Sequence, residues 1–232
     1  MRRGRLYAVG IGPGDPELIT LKAARILREA DVIAVPRGRE DGESVALGII
    51  AGVVDMAAKR LLEIHFPMRK GPQREALAKA AGEVLGLLDE GHDVAFITLG
   101  DPTLYSTFFH LLDAIHQIAP RLRAEIIPGV TSVTASAAAA SISLALSGDK
   151  VAIIPATYIK DLDAVIDGFQ TVVLMKAHSV IDEIKSVVAR RGLHAVFVSR
   201  AGRKDEVIKP LSEVTADDLN YFSTVIVRTG NA

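Results

Sequence analysis

Short apolar runs alternate along this chain with longer segments of helical period. Leu6–Ile11 is apolar apart from one glycine, the pattern of a buried strand, and a turn rich in glycine and proline follows it. The segment reaching Ala30 carries apolar residues at Ile19, Ala23, Ile26, Leu27 and Ala30, with Lys22, Arg25, Arg28 and Glu29 on the opposite side. That spacing predicts an amphipathic helix. Asp31–Val35 reads as a second strand, stopped by Pro36. Ser44–Lys59 and Pro72–Asp89 read as helices, the second closed by Gly91. Asp93–Leu99 and Ala124–Ile127 are further apolar strands. Strands separated by helices predict right-handed βαβ units and a parallel sheet. The pattern then changes. Thr131–Ala140 is a small-residue helix, followed by strands at Val151–Ile154, Thr171–Met175, Ala195–Ser199 and Thr224–Arg228, with a helix at Ser179–Arg191. The expected architecture is two α/β domains, residues 1–125 with a parallel sheet and 126–232 with a mixed sheet.

Composition narrows the functions available. At 49% hydrophobic and 24% charged residues, the chain is too apolar and too evenly charged to be disordered. Cysteine is absent, so there is no disulfide framework, zinc–thiolate site or thiol nucleophile. A formal charge of -1 gives no global field to attract nucleic acid. No apolar run approaches the roughly 18–20 residues that span a bilayer. Met1-Arg2-Arg3-Gly4 leads directly into the first strand, with no apolar signal core, and the expected location is cytoplasmic.

Three glycine-bearing strand ends carry the candidate chemistry. Val9-Gly10-Ile11-Gly12-Pro13-Gly14-Asp15-Pro16 follows the first strand, where an α/β sheet presents ligands. It is not a dinucleotide fingerprint, because Asp15 stands where the third glycine belongs and Pro13 has no amide hydrogen for a phosphate. Its bland alternative is a tight turn. Thr98-Leu99-Gly100-Asp101-Pro102-Thr103-Leu104-Tyr105-Ser106-Thr107-Phe108 follows a later strand. Glycine there admits close backbone approach, Asp101 adds a carboxylate, and Ser106 and Thr107 add hydroxyls that bind ligand or cap a helix. An Asx turn locked by proline accounts for the same residues structurally. Ile127-Pro128-Gly129-Val130-Thr131-Ser132 repeats the arrangement.

Taken in order, these motifs resemble the tetrapyrrole (corrin/porphyrin) methylase superfamily, over essentially the whole chain. Phe66-Pro67-Met68, the Gly100–Phe108 block and Ile153-Ile154-Pro155-Ala156-Thr157 are similar to the precorrin-2 (cobalt-factor II) C20-methyltransferase family; Val173-Leu174-Met175-Lys176 and Ser199-Arg200-Ala201-Gly202 also fit. The resemblance implies the tetrapyrrole methylase fold, with S-adenosyl-L-methionine in a cleft between two α/β domains, S-adenosyl-L-homocysteine as product, and a homodimer. The cofactor contacts it implies are Pro13, Gly100, Asp101, Pro102, Leu104, Ser106, Thr107, Thr131, Ser132, Ala156, Met175 and Ala201. The charged run Arg203-Lys204-Asp205-Glu206 departs from the family pattern.

Methyl transfer to an electron-rich ring carbon needs alignment more than acid–base groups, and alignment alone supplies up to roughly 7–11 kcal/mol. No triad is expected. Asp101 and Tyr105 are the polar groups placed to assist as catalytic residues. A ring bearing many carboxylates calls for local cations; the candidates are Arg37 and Arg39 after the second strand, and Arg69, Lys70 and Arg74 after Phe66-Pro67-Met68. His110 and His116 do not share a helical face, and no metal site is expected. The alternatives are a methyltransferase for another ring position, a diphthine synthase-like protein methylase, and a non-catalytic nucleotide-binding regulatory domain. The broken fingerprint disfavours an NAD-dependent oxidoreductase.

Overall fold

The computed structural model describes residues 2–37, 45–66 and 73–229, which divide into two units, Met1–Thr131 and Ser132–Ala232. The first contains β1 (Leu6–Gly10), α1 (Leu21–Glu29), β2 (Val32–Arg37), α2 (Val45–Ile50), β3 (Arg60–His65), α3 (Gln73–Asp89), β4 (Val94–Thr98), α4 (Phe108–Ile118) and β5 (Ala124–Ile127). Its five strands form one sheet in the order β3-β2-β4-β1-β5, with every pairing parallel. Both faces are covered, which is why β1 and β4 are buried along their whole length. Tyr7, Val9, Ile33 and Ile97 point into a core with α1 and α2. Leu6, Ala8, Val32 and Phe96, one residue out of phase, point into a second core with α3 and α4.

The chain leaves neighbouring strands β1 and β4 in opposite directions. After β1 it passes β4 by way of α1 to reach β2; after β4 it passes β1 by way of α4 to reach β5. The two crossovers lie on opposite faces, so a crevice opens outside the carboxyl ends of β1 and β4. Such a topological switch point is where open α/β sheets bind ligands.

The second unit contains α5 (Ser132–Ala139), β6 (Val151–Pro155), α6 (Leu162–Gly168), β7 (Thr171–Met175), α7 (Ile181–Arg190), β8 (His194–Ser199), β9 (Val207–Pro210) and β10 (Ser223–Arg228). The sheet order is β6-β7-β10-β8-β9. β6 and β7 are parallel, while β10 runs antiparallel to both β7 and β8, and β8 antiparallel to β9. The sheet is therefore mixed, and β6, β7 and β8 all end at the same edge. One face packs on α6 and α7 through Val172, Leu174, Phe197 and Val225.

Several sequence expectations need correction. β5 pairs with β1, so the division falls after it, at Thr131, and not near residue 125. Pro36 does not stop β2, which continues to Arg37. β4 accompanies β2 only as far as Ala34, so the missing amide of Pro36 falls where β2 has β3 alone beside it. The helix expected over Ser44–Lys59 ends at Ile50. The chain then turns, and Lys59 Nζ donates to the carbonyl of Ala30 at 2.7 Å and to that of Arg28, placing a cation at the carbonyl end of α1. β3, α4, α6 and β9 were not among the expected elements.

Candidate active site

Three strand ends of the first unit meet backbone to backbone. Gly12 and Gly100 form an antiparallel bridge, with the Gly100 amide donating to the Gly12 carbonyl at 2.8 Å. Both are left-handed, φ 75° and 72°, a conformation that favours glycine. Gly10 and Gly129 are required for a different reason. A Cβ on Gly10 would lie 2.7 Å from both the Gly100 carbonyl oxygen and the Gly129 nitrogen; one on Gly129 would lie 2.2 Å from that same oxygen. The ends of β1, β4 and β5 thus touch at the switch point through atoms no side chain can displace.

Asp101 holds this junction together. Its Oδ1 accepts from the Thr103 amide at 2.7 Å and from the Thr103 hydroxyl, the Asx turn of the purely structural alternative. Its Oδ2 accepts from the Gly129 amide at 2.9 Å, tying the β4 loop to the end of β5. Burial pushes the carboxyl pKa up, but the Thr103 hydroxyl and the Gly129 and Thr103 amides more than offset this and hold it below the usual value. Asp101 is an anion at neutral pH with both oxygens engaged.

Pro102 is buried and Leu104 half-buried beside it. Tyr105 is left-handed at φ 53° and 50% exposed. An aromatic residue there is uncommon, and such conformations cluster where the surroundings impose them for function. Ser106 Oγ donates to Thr98 Oγ1 at 3.2 Å and accepts from the Phe108 amide at 3.1 Å, so its hydroxyl shapes the start of α4. Thr107 is the cap residue of α4 but makes no side-chain cap bond. Pro13 follows Gly12 directly and is half-buried. Arg37 ends β2 at this same edge of the parallel sheet and pairs with Glu63 of β3. Arg74 is exposed on the first turn of α3; Arg39, Arg69 and Lys70 lie outside the described residues.

In the second unit, Ser132 opens α5 directly after Thr131. Ala156 follows β6, Met175 ends β7 and Ala201 follows β8. Because those strands run the same way, the three residues gather at one edge, with both alanines buried. Among the described residues no group of three or more His, Asp or Glu is arranged to hold a metal ion, and no helix is long and apolar enough to cross a membrane.

The junction residues Gly10, Gly12 and Gly129 were not among the expected contacts. The strand-end glycines were their sequence signal, but nothing in the sequence says that Gly10 and Gly129 touch. What the junction offers chemically is rigid backbone at a ligand-binding crevice beside a half-buried anion, suited to a cationic ligand.

Comparison with known proteins identifies the family. The chain is 38% identical over 97% of its length to a probable cobalt-precorrin-2 C(20)-methyltransferase of Methanocaldococcus jannaschii, covering 96% of that protein. It is also 38% identical to the cobalt-precorrin-2 C(20)-methyltransferase of Salmonella typhimurium, over 97% of this chain and 96% of that one. The X-ray structure of a cobalt precorrin-4 methyltransferase superposes with a TM-score of 0.76 at 24% identity, covering 97% of this chain and 94% of the other, a likeness of fold. The family model for Tetrapyrrole (Corrin/Porphyrin) Methylases matches residues 5–215. That match takes in all three glycine-bearing strand ends and the edge carrying Ala156, Met175 and Ala201: the chain belongs to the tetrapyrrole methylases.

Proposed function

We propose that this protein transfers a methyl group from S-adenosyl-L-methionine to carbon 20 of cobalt-precorrin-2. The observation that carries this reading is the near end-to-end match, at 38% identity, to two proteins named for that reaction. The name cobalt-precorrin-2 in both favours the cobalt-loaded ring over metal-free precorrin-2.

S-adenosyl-L-methionine supplies the electrophilic sulfonium methyl when bound. Pro13, Gly100, Asp101, Pro102, Leu104, Ser106 and Thr107 would hold it at the switch point, mostly through backbone. Asp101 supplies a fixed negative charge for a cationic ligand, and its low pKa suits orientation better than proton uptake. Tyr105 is the remaining acid–base candidate. Thr131, Ser132, Ala156, Met175 and Ala201 are the further contacts we propose, with Arg37, Arg69 and Arg74 for ring carboxylates. A rigid junction fits a reaction whose barrier is lowered chiefly by alignment. A cytoplasmic homodimer belongs to the same proposal and rests on the family resemblance; light scattering in solution tests the assembly.

The deciding experiment incubates the protein with S-adenosyl-L-methionine carrying a carbon-13 methyl and either cobalt-precorrin-2 or precorrin-2. The expected product gains one methyl by mass, and its carbon-13 signal lies at C20. A methyl on another ring carbon would overturn the position, and preference for adenine nucleotides over S-adenosyl-L-homocysteine without turnover would overturn the activity.

A further inference from the structure

Two cations are mounted on two aromatic rings at the edge of the second sheet where β7 and β8 end. Each of these strands closes on a left-handed cationic residue followed by a buried alanine: Lys176 (φ 56°) then Ala177, and Arg200 (φ 56°) then Ala201. Between them β10 begins, with Ser223 opposite Ser199 and Thr224 opposite Met175. The residues just before β10, Tyr221 and Phe222, therefore stand at this edge, their rings edge-to-face at 5.4 Å. Lys176 Nζ lies 5.4 Å from the Tyr221 ring centre, and the Arg203 guanidinium 5.6 Å from that of Phe222. The His178 ring centre is 6.3 Å from that of Tyr221.

The arginines are already matched. Arg200 bonds the Asp205 carboxylate at 3.0 Å and its carbonyl at 2.8 Å, and Arg203 reaches the same carboxylate at 3.3 Å. Glu206 is engaged by the Gly202 amide at 2.7 Å. Lys176 differs. No carboxylate lies within 4.0 Å of it among the described residues, yet its backbone is strained and its ammonium is fixed on a ring face. A cation–π contact lowers the freedom of a lysine without neutralising it, so the ammonium stays available to an incoming anion.

We propose that Lys176, positioned by Tyr221, binds a carboxylate of one of the two reactants. This deepens the methyltransferase reading and rests on it, because the reactants that reading names both carry carboxylates, several on the ring and one on the cofactor. Lys176 directly follows Met175, a proposed cofactor contact, in the chain, and carboxylates of either reactant are chemically suitable.

The test compares the full-length wild type with Lys176→Gln, and with Lys204→Gln as an exposed control on the neighbouring turn. Dissociation constants are measured without turnover, for uroporphyrin as an octacarboxylate probe and for S-adenosyl-L-homocysteine, at low and high salt, with melting temperature as a check on folding. K176Q should weaken one ligand by roughly tenfold or more, most at low salt, while K204Q changes neither. Loss for the porphyrin assigns the ring's carboxylate, and loss for the homocysteine compound the cofactor's. Tyr221→Leu should reproduce part of the loss and Tyr221→Phe, which keeps the ring face, should restore it. Folded K176Q that binds both ligands as wild type does would overturn the proposal. Absence of methyl transfer by the wild type would count against the functional reading and leave this binding comparison intact.

Discussion

A single methyl group on Gly129 should break the junction on which the proposed cofactor site depends. The new Cβ would sit 2.2 Å from the Gly100 carbonyl oxygen and 2.9 Å from two backbone atoms of Gly10. None of these is the end of a flexible side chain, so relief requires β4 or β1 to move away from β5. Overpacking of this kind costs about 1–3 kcal/mol. The same movement stretches the 2.9 Å bond from the Gly129 amide to Asp101, and losing a bond to a charged group adds about 1.5–3 kcal/mol. Gly129→Ala should therefore destabilise the first unit by about 2.5–6 kcal/mol, lowering its melting temperature by roughly 5–24 °C for a protein of this size. Calorimetric titration with S-adenosyl-L-homocysteine on the same preparation should show at least a tenfold weaker affinity below the melting point. Asp101→Asn, which leaves one amide donor facing an NH₂, should cost about 1–3 kcal/mol. Because both changes remove the same bond, their combination should be less than additive. Wild-type melting and affinity in Gly129→Ala would refute the idea that the three strand ends are mutually constrained.

Glycines elsewhere should behave oppositely: Gly82 and Gly86 lie exposed within α3, and a methyl group added to either would meet nothing within 4 Å, so Gly82→Ala with Gly86→Ala should raise stability by about 1–2 kcal/mol in thermal melts. Lys209 and the Thr215 amide and hydroxyl hold Asp218 at about 2. A depressed carboxyl contributes stability that is complete above its unfolded value of about 4 and lost as pH falls towards 2. Asp218→Asn should accordingly be less stable than wild type at pH 7 and show a flatter loss between pH 4 and 2 by circular dichroism; an unchanged slope would remove Asp218 as its cause. Tyr105→Asn suits the left-handed backbone better and should leave stability within about 0.5 kcal/mol. If the ring serves the substrate, its methylation rate should fall, and a wild-type rate would dismiss Tyr105 from the site.

How much was legible depended on what surrounds each residue. β1, β4 and β7 announced themselves because strands buried along nearly their whole length are built mostly of apolar residues. β3 did not, since Arg60, Leu61, Glu63 and His65 are exposed on a sheet edge and only Ile64 is buried. β9, another edge, has Ile208 41% exposed. The glycine loops could be placed at strand ends from the pattern alone. That Gly10, Gly100 and Gly129 meet too closely for a side chain, or that Asp101 reaches 28 positions along the chain to Gly129, is a property of strand order, which hydrophobic periodicity does not encode. Asp101 illustrates the consequence: its Asx turn to Thr103 was foreseeable from adjacent residues, its tie to β5 was not.

Strand order also sets when the protein can fold during its synthesis. β1 is made first, yet its partners are β4 and β5, residues 94–98 and 124–127. Until the ribosome has released the chain through Ile127, Leu6–Gly10 remains an apolar segment with at least one open edge, and before Val94 emerges it has two. β2 and β3 can pair earlier, across a much shorter connection. The nascent chain thus carries this buried apolar strand unpaired for most of the time the first unit takes to be made, so this unit should assemble late and nearly all at once, with fragments ending before β4 dependent on chaperones to stay in solution.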